Sequence, residues 1–373
     1  MSDSVPYLSI VATSRNDDHG GDLAGRTQVF VDTLAAHCAA YNLSAELILV
    51  DWNPPADTPP LAATIRRTEA NSPLDIRVIT VPAAVHRRFE HAGSLPLFQM
   101  KAKNAGIRRA RGRFVLATNI DIVLSAQLAA YIGARKLQPG RLYRVERHDI
   151  SPAPPVGVPL DAVLNFCESH VIRVNRRDAS IDTRDGVSSP VYPKRHRVLG
   201  HLPRDLLRDI AHGVMPWTRN GRANIRANWS YIHDEFARPP LMTNASGDFM
   251  LMDRDSWFDL HGYAEWDIYS FHLDAIFCHQ AAASGRREAF LEPPRLVWHI
   301  EHARGSGFVP EDPDSLWRRL EAAGVPWLKG ERAQQIIRDL HRGQLTPEIN
   351  DGNWGLAGLD LEERPLADAG EAS

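Results

Sequence analysis

Cysteine is scarce in this chain of 373 residues, and its three copies lie far apart at Cys38, Cys167 and Cys278. An odd number of distant cysteines fits neither a disulfide framework nor the spacing of a zinc site, so we predict reduced thiols in a cytoplasmic protein. No apolar run reaches the length of a membrane span. The apolar stretch at 8–12 is too short for a signal peptide and follows no basic region, so none is expected.

Positive and negative residues are also nearly balanced, at 43 Lys and Arg against 46 Asp and Glu. The formal net charge is −3, and no long basic block is present, so we predict no binding to nucleic acid. Two phosphate-binding signatures are missing as well, because neither Gly-x-x-x-x-Gly-Lys-Ser/Thr nor Gly-x-Gly-x-x-Gly follows the first predicted strand. A nucleotide bound here would therefore be held by a divalent metal and basic side chains. The candidates are Arg15, Lys101, Lys103 and Arg304.

Strand and helix patterns alternate in the first third of the chain. Apolar strands at 7–13 and 46–50 flank an amphipathic helix at 23–41, which is the pattern of a βαβ unit with a parallel sheet. The fold class is therefore α/β, with a mostly parallel central sheet flanked by helices. Further strands are predicted at 76–81, 114–117, 142–145, 249–252 and 295–298, and a basic helix at 98–110.

Periodicity is weak in two later regions. Residues 151–240 are rich in Pro, Arg, Asn and His, and we interpret them as a long insertion that acts as a lid. From residue 311 the pattern predicts a pair of helices, followed after Asp360 by a polar, mobile tail.

Polar side chains follow the apolar strand at 114–117. On an extended chain, residues two apart point the same way, so Asn119 and Asp121 would share one face at the carboxyl end of a core strand. Open α/β sheets bind ligands at that edge, and an oxygen pair there suits Mg²⁺ or Mn²⁺. The alternative is a strand end followed by a helix cap.

Two more groups of candidate residues follow strands or begin helices. His299 and His302 come after the last strand and can ligate a metal beside a carboxylate, or be ordinary solvated or core histidines. Asp274 can act as a general base, or simply stabilise a helix N-terminus. Trp266 beside it can stack on a sugar ring or pack in the core.

The order of these motifs resembles that of the GT-A glycosyltransferases, in particular those similar to family 2. The resemblance covers about residues 5–125 and 241–305 and implies a GT-A, Rossmann-like fold. The matching motifs are Thr13-Ser14-Arg15-Asn16, Asp51, Lys101-x-Lys103-Asn104-x-Gly106-Ile107, Asn119-x-Asp121, Gly247-Asp248-Phe249-x-Leu251-Met252-x-Arg254, and a late helix with a carboxylate.

This resemblance implies a role for each matched residue. Mn²⁺ or Mg²⁺ would be the cofactor, held by Asp121, His299 and His302, and Asp274 would be the catalytic base of an inverting enzyme. The chain departs from the family pattern at Asn119, where Asp is usual, and at His272, where Glu is common. The implied nucleotide-sugar-binding residues are Thr13, Arg15, Asn16, Asp51, Lys103, Asn104 and Asn119, with Asp51 on the nucleobase. The implied acceptor-binding residues are Asp248, Glu265 and Trp266.

The sequence therefore predicts a metal-dependent hexosyltransferase that uses a UDP- or GDP-sugar and a glycan or lipid-linked acceptor, as in polysaccharide biosynthesis, with peripheral membrane contact. Asp121 should bind the metal and Asn119 the nucleotide, so that Asn119→Asp is tolerated. Two alternatives stay open, a sugar-phosphate nucleotidyltransferase and an inactive sugar-binding module. The predicted division is 1–125 for the donor, 126–240 for a connecting strand and insertion, 241–310 for the acceptor and late metal ligands, and 311–373 for the terminal helices and tail.

Overall fold

The computed structural model describes residues 5–67, 72–190, 206–226, 239–302, 312 and 314–366. The strands in these ranges are β1 (Leu8–Ser14), β2 (Ala45–Trp52), β3 (Leu74–Val81), β4 (Phe114–Ala117), β5 (Ile122–Leu124), β6 (Arg141–Ile150), β7 (Val171–Asn175), β8 (Ala179–Asp182), β9 (Ser188–Pro190), β10 (Met250–Asp253), β11 (Arg287–Ile300) and β12 (Glu362–Pro365). The helices are α1 (Leu23–Ala40), α2 (Leu61–Thr64), α3 (Ala83–His86), α4 (Gln99–Arg108), α5 (Ala126–Gly133), α6 (Leu160–Ser169), α7 (Arg254–Asp259), α8 (Leu273–Ala283), α9 (Ser315–Ala322) and α10 (Gly330–His341).

The described strands form one 12-stranded sheet, with the order β12-β3-β2-β1-β4-β10-β6-β7-β8-β9 and with β11 paired to β5 and β6. Strands β1 to β4 pair in parallel, whereas β10 runs antiparallel between β4 and β6. The predicted α/β fold, a central sheet with parallel strands flanked by helices, is confirmed, although most strand pairs outside β1 to β4 are antiparallel. The predicted donor and acceptor halves share this sheet.

Helices cover both faces of the sheet, which is why its central strands are apolar along their whole length. All seven residues of β1 are buried. Val11 and Val50 pack with α4, α7, α8 and the C-terminal helices, while Ile10 and Leu49 pack on the other face with α1 and α5. Neighbouring residues of one strand thus stabilise two different layers. No helix in the described ranges is long and apolar enough to cross a bilayer.

Strand register brings the polar strand ends to one edge. Ser14 at the end of β1 pairs with Asp51 of β2, and β4 ends beside them at Ala117. At the far side of β4 the chain turns and continues as β5, whose first residue, Ile122, pairs with His299 of β11. Asp121 therefore lies next to the end of β11.

The structure differs from the predicted mobile tail after Asp360. Residues 362–365 form β12 and pair with β3 at the edge of the sheet. Arg77 of β3 lies 3.2 Å from Glu46 and 2.5 Å from Glu363. Because this edge strand is held by backbone pairing and ion pairs, it has no apolar pattern by which the sequence could reveal it. Residues 367–373 lie outside the described ranges.

Much of the predicted insertion is regular structure. It contains α6, the strands β7 to β9, and helical stretches at 206–211 and 219–226. Strand β6 also extends to Ile150, five residues beyond the predicted end. Residues 191–205 and 227–238 lie outside the described ranges, as do Arg304 and Gly305-Ser306-Gly307, so the lid remains a prediction.

Candidate active site

Asp121 is the centre of a cluster of buried charged groups. Its Oδ2 lies 3.2 Å from His302 Nε2 and 3.7 Å from His299 Nε2, and Arg26 Nη1 donates to the same oxygen at 3.3 Å. Its Oδ1 is buried and has no hydrogen-bond partner in the described part of the chain. The turn between β4 and β5 is held against β11, because the Ile300 amide donates to the Asp121 carbonyl at 2.9 Å. The cluster therefore has one fully desolvated oxygen without a donor.

The three residues predicted as metal ligands lie together. Asp121, His299 and His302 each place one ligand atom within 4.8 Å of the others. One carboxylate and two imidazoles form a donor set that suits a divalent first-row cation such as Mn²⁺. The unpartnered Asp121 Oδ1 is the further donor atom that such an ion would engage.

A second carboxylate supports His299 from behind. Asp149 of β6 is fully buried, and its Oδ1 lies 3.3 Å from His299 Nδ1. Asn175 and Arg173 donate to the other oxygen of Asp149, at 3.1 and 3.2 Å. A carboxylate this close to Nδ1 favours a proton there, so that Nε2, once deprotonated, is the nitrogen available to a cation. His299 is thus oriented with Nε2 toward Asp121.

Neighbouring charges determine the ionisation of this cluster. Burial alone would lower the pKa of His299, but the carboxylates of Asp121 and Asp149 outweigh it and raise the pKa to about 9. Burial would raise the pKa of Asp121, whereas His299, His302 and Arg26 hold it well below its usual range. Asp121 therefore stays ionised, which is the form of a carboxylate that binds a cation.

The loop between β1 and α1 packs against the same cluster. Arg26 of α1 donates to the His19 carbonyl at 2.5 Å and to the Gly21 carbonyl at 3.2 Å. Gly20 and Gly21 have φ angles of +80° and +78°. A Cβ on Gly20 would lie 2.3 Å from His302 Nδ1, whereas a Cβ on Gly21 would meet nothing within 4 Å. The close approach of the loop to His302 thus requires glycine at position 20.

Asp51 forms a second buried site at the ends of β1 and β2. It is 1% exposed, and the Leu61 amide donates to its Oδ2 at 3.3 Å. Its Oδ1 has no partner among the described residues. Burial raises the pKa of Asp51 to about 6, although the Leu61 amide and Arg15 act in the opposite direction. This carboxylate is available to accept a hydrogen bond from a ligand.

The other residues predicted to bind the donor near Asp51 lie at the end of β1 and in the loop that follows it. Arg15 donates from Nε to the Asn53 carbonyl at 3.1 Å and pairs with Asp17 at 2.8 Å. Asn16, at φ 52°, donates from its side chain to the Pro59 carbonyl at 2.7 Å. Thr13 donates to the Val50 carbonyl at 3.1 Å. These bonds hold the end of β1 and the following loop against residues 50, 53 and 59, and none of them uses Asp51 Oδ1.

The strand pattern predicted that Asn119 and Asp121 share one face. In the structure the two side chains have different neighbours. Asn119 Nδ2 donates to Asp248 Oδ1 at 2.5 Å, and Asn119 Oδ1 accepts from Gln99 at 3.1 Å. Arg147 binds the other oxygen of Asp248 at 2.5 Å. The alternation of an extended chain ends at Ala117, where β4 stops and the chain turns, so the two side chains contact different neighbours.

Lys103 and Asp274 both contact the short segment that precedes β10. Lys103 is fully buried and donates from Nζ to the Gly247 carbonyl at 2.7 Å. Burial lowers its pKa to about 8, although Asp248, Asp274 and Asp121 act in the opposite direction. Asp274, half-buried in the first turn of α8, accepts from Ser246 Oγ at 2.7 Å. A single buried ammonium group therefore lies within electrostatic reach of the carboxylates on both sides.

Three predicted site residues are engaged in the scaffold. The Asn104 amide donates to the Tyr263 carbonyl and to Glu265 Oε1, both at 2.8 Å. Glu265 Oε1 also accepts from the Gly355 amide at 2.7 Å. Trp266 packs against the main apolar core. The structure does not bring Asn104, Glu265 and Trp266 together with Asp121, and their binding roles remain predictions.

Three residues of the cluster were missed by the sequence analysis. Arg26 is 3% exposed and lies on the face of α1 that packs into the core. An arginine on the apolar face of a predicted helix could have identified it as a site candidate. Arg147 and Asp149 are two residues apart on β6 and ion-paired at 2.8 Å. The predicted end of that strand at 145 concealed their alternation.

No protein-family model matches the sequence, and no curated protein matches it. Among solved structures, the chain is similar to mannosyltransferase PcManGT from Pyrobaculum calidifontis in complex with GDP-Man and Mn²⁺, at 12% identity over 95% of this chain and 75% of that chain, with a TM-score of 0.42. It is also similar to S. aureus TarS 1-349 in complex with UDP-GlcNAc, at 13% identity over 91% and 73%, with a TM-score of 0.40. For the longer S. aureus TarS chain the identity is 14%, the coverage 91% and 44%, and the TM-score 0.39.

Proposed function

We propose that this protein is a metal-dependent glycosyltransferase of the hexosyltransferase type, which transfers a sugar from a UDP- or GDP-sugar to a hydroxyl group of a glycan or lipid-linked acceptor. One observation carries the proposal. Two buried carboxylates, Asp51 and Asp121, each keep one oxygen without a partner among the described residues. Asp51 lies near the end of β2, and Asp121 lies in the turn after β4. A nucleotide diphosphate needs such a pair, because one oxygen can accept a base N–H and the other can bind a cation at the phosphates.

The residues around Asp121 fit a divalent cation. Asp121, His299 and His302 would hold it through one oxygen and two nitrogens, and Asp149 keeps His299 in the ligating orientation. When bound, the cation supplies positive charge that stabilises the leaving diphosphate. Arg26 holds the Asp121 carboxylate in place and keeps it ionised.

The donor and acceptor would meet between these two carboxylates and Asp274. Lys103 is buried in this region, and its ammonium group provides charge toward the diphosphate. Asp274 lies beside Gly247 and Ser246, on the side where a hydroxyl acceptor would enter. Its carboxylate can take the proton of that hydroxyl group as the oxygen attacks the anomeric carbon.

Calorimetry tests this function directly. We expect the full chain to bind UDP or GDP, and to bind one of them markedly more tightly with Mn²⁺ than with EDTA. Incubation with the matching nucleotide-sugar should also release free sugar slowly, because water can replace the acceptor in an enzyme but not in a binding module. Folded protein that binds neither nucleotide in the presence of Mn²⁺ or Mg²⁺ would refute the proposal.

The pKa of Asp51 predicts how nucleoside binding depends on pH. The ionised carboxylate accepts a hydrogen bond from a base N–H much more strongly than the protonated acid does, and the pKa of Asp51 is raised to about 6. Affinity for the matching nucleoside, uridine or guanosine, should therefore fall about tenfold as the pH drops from 7 to 5. A nucleoside is the right probe because it has no titrating phosphate.

The matched variant for this titration is Asp51→Asn, which keeps the shape of the side chain but cannot ionise. It should bind the nucleoside weakly at every pH and show a flat profile. A variant that retains the pH dependence of the native chain would exclude Asp51 as its source.

Gly20→Ala should weaken Mn²⁺ binding about 10-fold to 100-fold, the range seen when a residue that orients a metal ligand is lost. The added Cβ would collide with His302 Nδ1 and displace the ring. Gly21→Ala is the matched control, because it imposes the same positive-φ cost in open space. Titration of both variants with Mn²⁺ separates loss of the ligand from loss of the loop, and equal weakening in the two variants would contradict a role of His302.

A further inference from the structure

Residues 206–226 form a helical hairpin, with helical stretches at 206–211 and 219–226 joined by a turn. Asn224 Nδ2 donates to Asp209 Oδ2 at 2.9 Å and links the two stretches. Arg222 Nε donates to the Trp217 carbonyl at 3.1 Å and fixes the turn against the second stretch. The helical hairpin is thus held together by its own side chains.

The helical hairpin exposes an unusual amount of apolar side chain. The described residues contain six exposed large apolar side chains, and three of them lie here: Leu207 at 65%, Ile210 at 38% and Trp217 at 69%. Leu207 and Ile210 are three positions apart on a helix and therefore share a face. Exposed apolar residues normally occur singly, so a local group of three indicates a surface that another phase or molecule covers.

The same helical hairpin is positively charged. Its four arginines against one aspartate give a formal charge of +3, in a chain whose net charge is −3. Arg219, Arg222 and Arg226 are spaced three and four residues apart and line one face of the second stretch, where all three are exposed. Exposed aliphatic side chains, an exposed tryptophan and a row of arginines are together the composition of helices that lie in the interface of an anionic bilayer.

We propose that the helical hairpin 206–226 docks the protein on a lipid bilayer that contains anionic headgroups. Leu207, Ile210 and Trp217 enter the interface, and the arginines contact the lipid phosphates. The charge argues against a second copy as the occupant, because two surfaces of +3 repel each other. The exposed aliphatic side chains of Leu207 and Ile210 argue against nucleic acid, because its charged phosphate backbone offers them no apolar surface to contact.

The experiment is co-sedimentation of the full chain with vesicles, without nucleotide or metal. One set of vesicles is pure phosphatidylcholine, and the other also contains phosphatidylglycerol. We expect binding to the anionic vesicles alone, reduced by high salt. Trp217→Ala should lower the partition about tenfold. Arg219→Gln combined with Arg226→Gln should lower it about 25-fold, at about fivefold for each arginine.

Val187→Ala is the matched control, because Val187 is 58% exposed and lies outside the helical hairpin; its partition should equal that of the native chain. The proposal is overturned if the native chain stays in the supernatant, if neutral vesicles bind it equally, or if Val187→Ala has the effect of Trp217→Ala. Self-association that Trp217→Ala abolishes, without vesicle binding, would overturn it in favour of a second copy. Since no donor is present, these results are independent of the proposed transferase activity.

Discussion

Replacing Asp121 by alanine should abolish Mn²⁺-dependent nucleotide binding. The variant removes the carboxylate to which His299, His302 and Arg26 all turn, and with it the unpartnered Oδ1. Loss of an outer-shell partner alone typically costs 10-fold to 100-fold in metal affinity, so loss of the ligand itself should exceed about 100-fold. Calorimetric titration with UDP and GDP, with Mn²⁺ and with EDTA, measures the effect.

Asp51→Asn is the informative comparison for this variant. It should weaken nucleotide binding by a similar factor with and without Mn²⁺, because Asp51 acts on the base and not on the metal. Asp121→Ala should affect only the titration with Mn²⁺. If both variants lose affinity equally under both conditions, Asp121 is not the metal ligand.

A second variant at position 121 controls for loss of folding. Asp121→Ala leaves Arg26 buried without its carboxylate partner and His299 with Asp149 alone, which is itself destabilising. Asp121→Asn keeps the volume and one oxygen, and it should fold better while still losing most of the Mn²⁺ effect. Thermal melts of both variants separate a lost site from a lost fold, since only a folded variant without Mn²⁺-dependent binding supports the ligand assignment.

The grouping of Asp121, His299 and His302 was largely predictable because it depends on strand ends. Asp121 and His299 follow apolar runs that can only be core strands, and parallel and antiparallel neighbours bring such ends to one edge. His302 came with His299 by its proximity in sequence. Asp51 was found in the same way, near the end of β2. No sequence pattern revealed the role of the Asp149 carboxylate. Asp149 lies beside His299 because β6 pairs with β11.

Asn119 shows where the strand pattern stops being informative. Alternation predicted that Asn119 and Asp121 face one ligand and that Asn119→Asp is tolerated. In the structure, Asn119 Nδ2 donates to Asp248 Oδ1 at 2.5 Å. A carboxylate at position 119 would therefore meet the carboxylate of Asp248, whose other oxygen is already paired with Arg147. We now expect Asn119→Asp to be destabilising, because the turn after Ala117 depends on tertiary contacts that lie about 130 residues away.

Asn104 and Glu265 also show that the sequence does not distinguish a structural polar residue from a ligand-binding one. Both are polar residues near predicted ligand segments, and both are engaged by backbone groups of 263 and 355. Burial raises the pKa of Glu265, although the Asn104 amide and the Gly355 N–H act against it. Polar residues that fix loops and polar residues that bind ligands have the same appearance in a sequence. The two kinds of residue can be distinguished only by their hydrogen-bond partners in the structure.

Asp274→Asn should retain donor binding and lose sugar transfer. The residue lies in the first turn of α8, where the helix dipole stabilises its negative charge, and within the described residues its carboxylate forms no ion pair. Asp121 and Asp149, in contrast, are each surrounded by cations. A carboxylate that is held by one hydroxyl and partly open to solvent can accept a proton from an acceptor, and loss of a general base costs about 10²–10⁴ in rate.

The two readouts assign the role of Asp274. Calorimetry should give native affinity for the nucleotide with Mn²⁺, while turnover of the donor sugar with acceptor falls by that factor. Ser246→Ala is the graded control, because it removes the 2.7 Å hydrogen bond but leaves the carboxylate, so it should slow transfer far less. Native turnover in Asp274→Asn would exclude Asp274 as the base, and a product of retained anomeric configuration would exclude the single inverting displacement in which that base is needed.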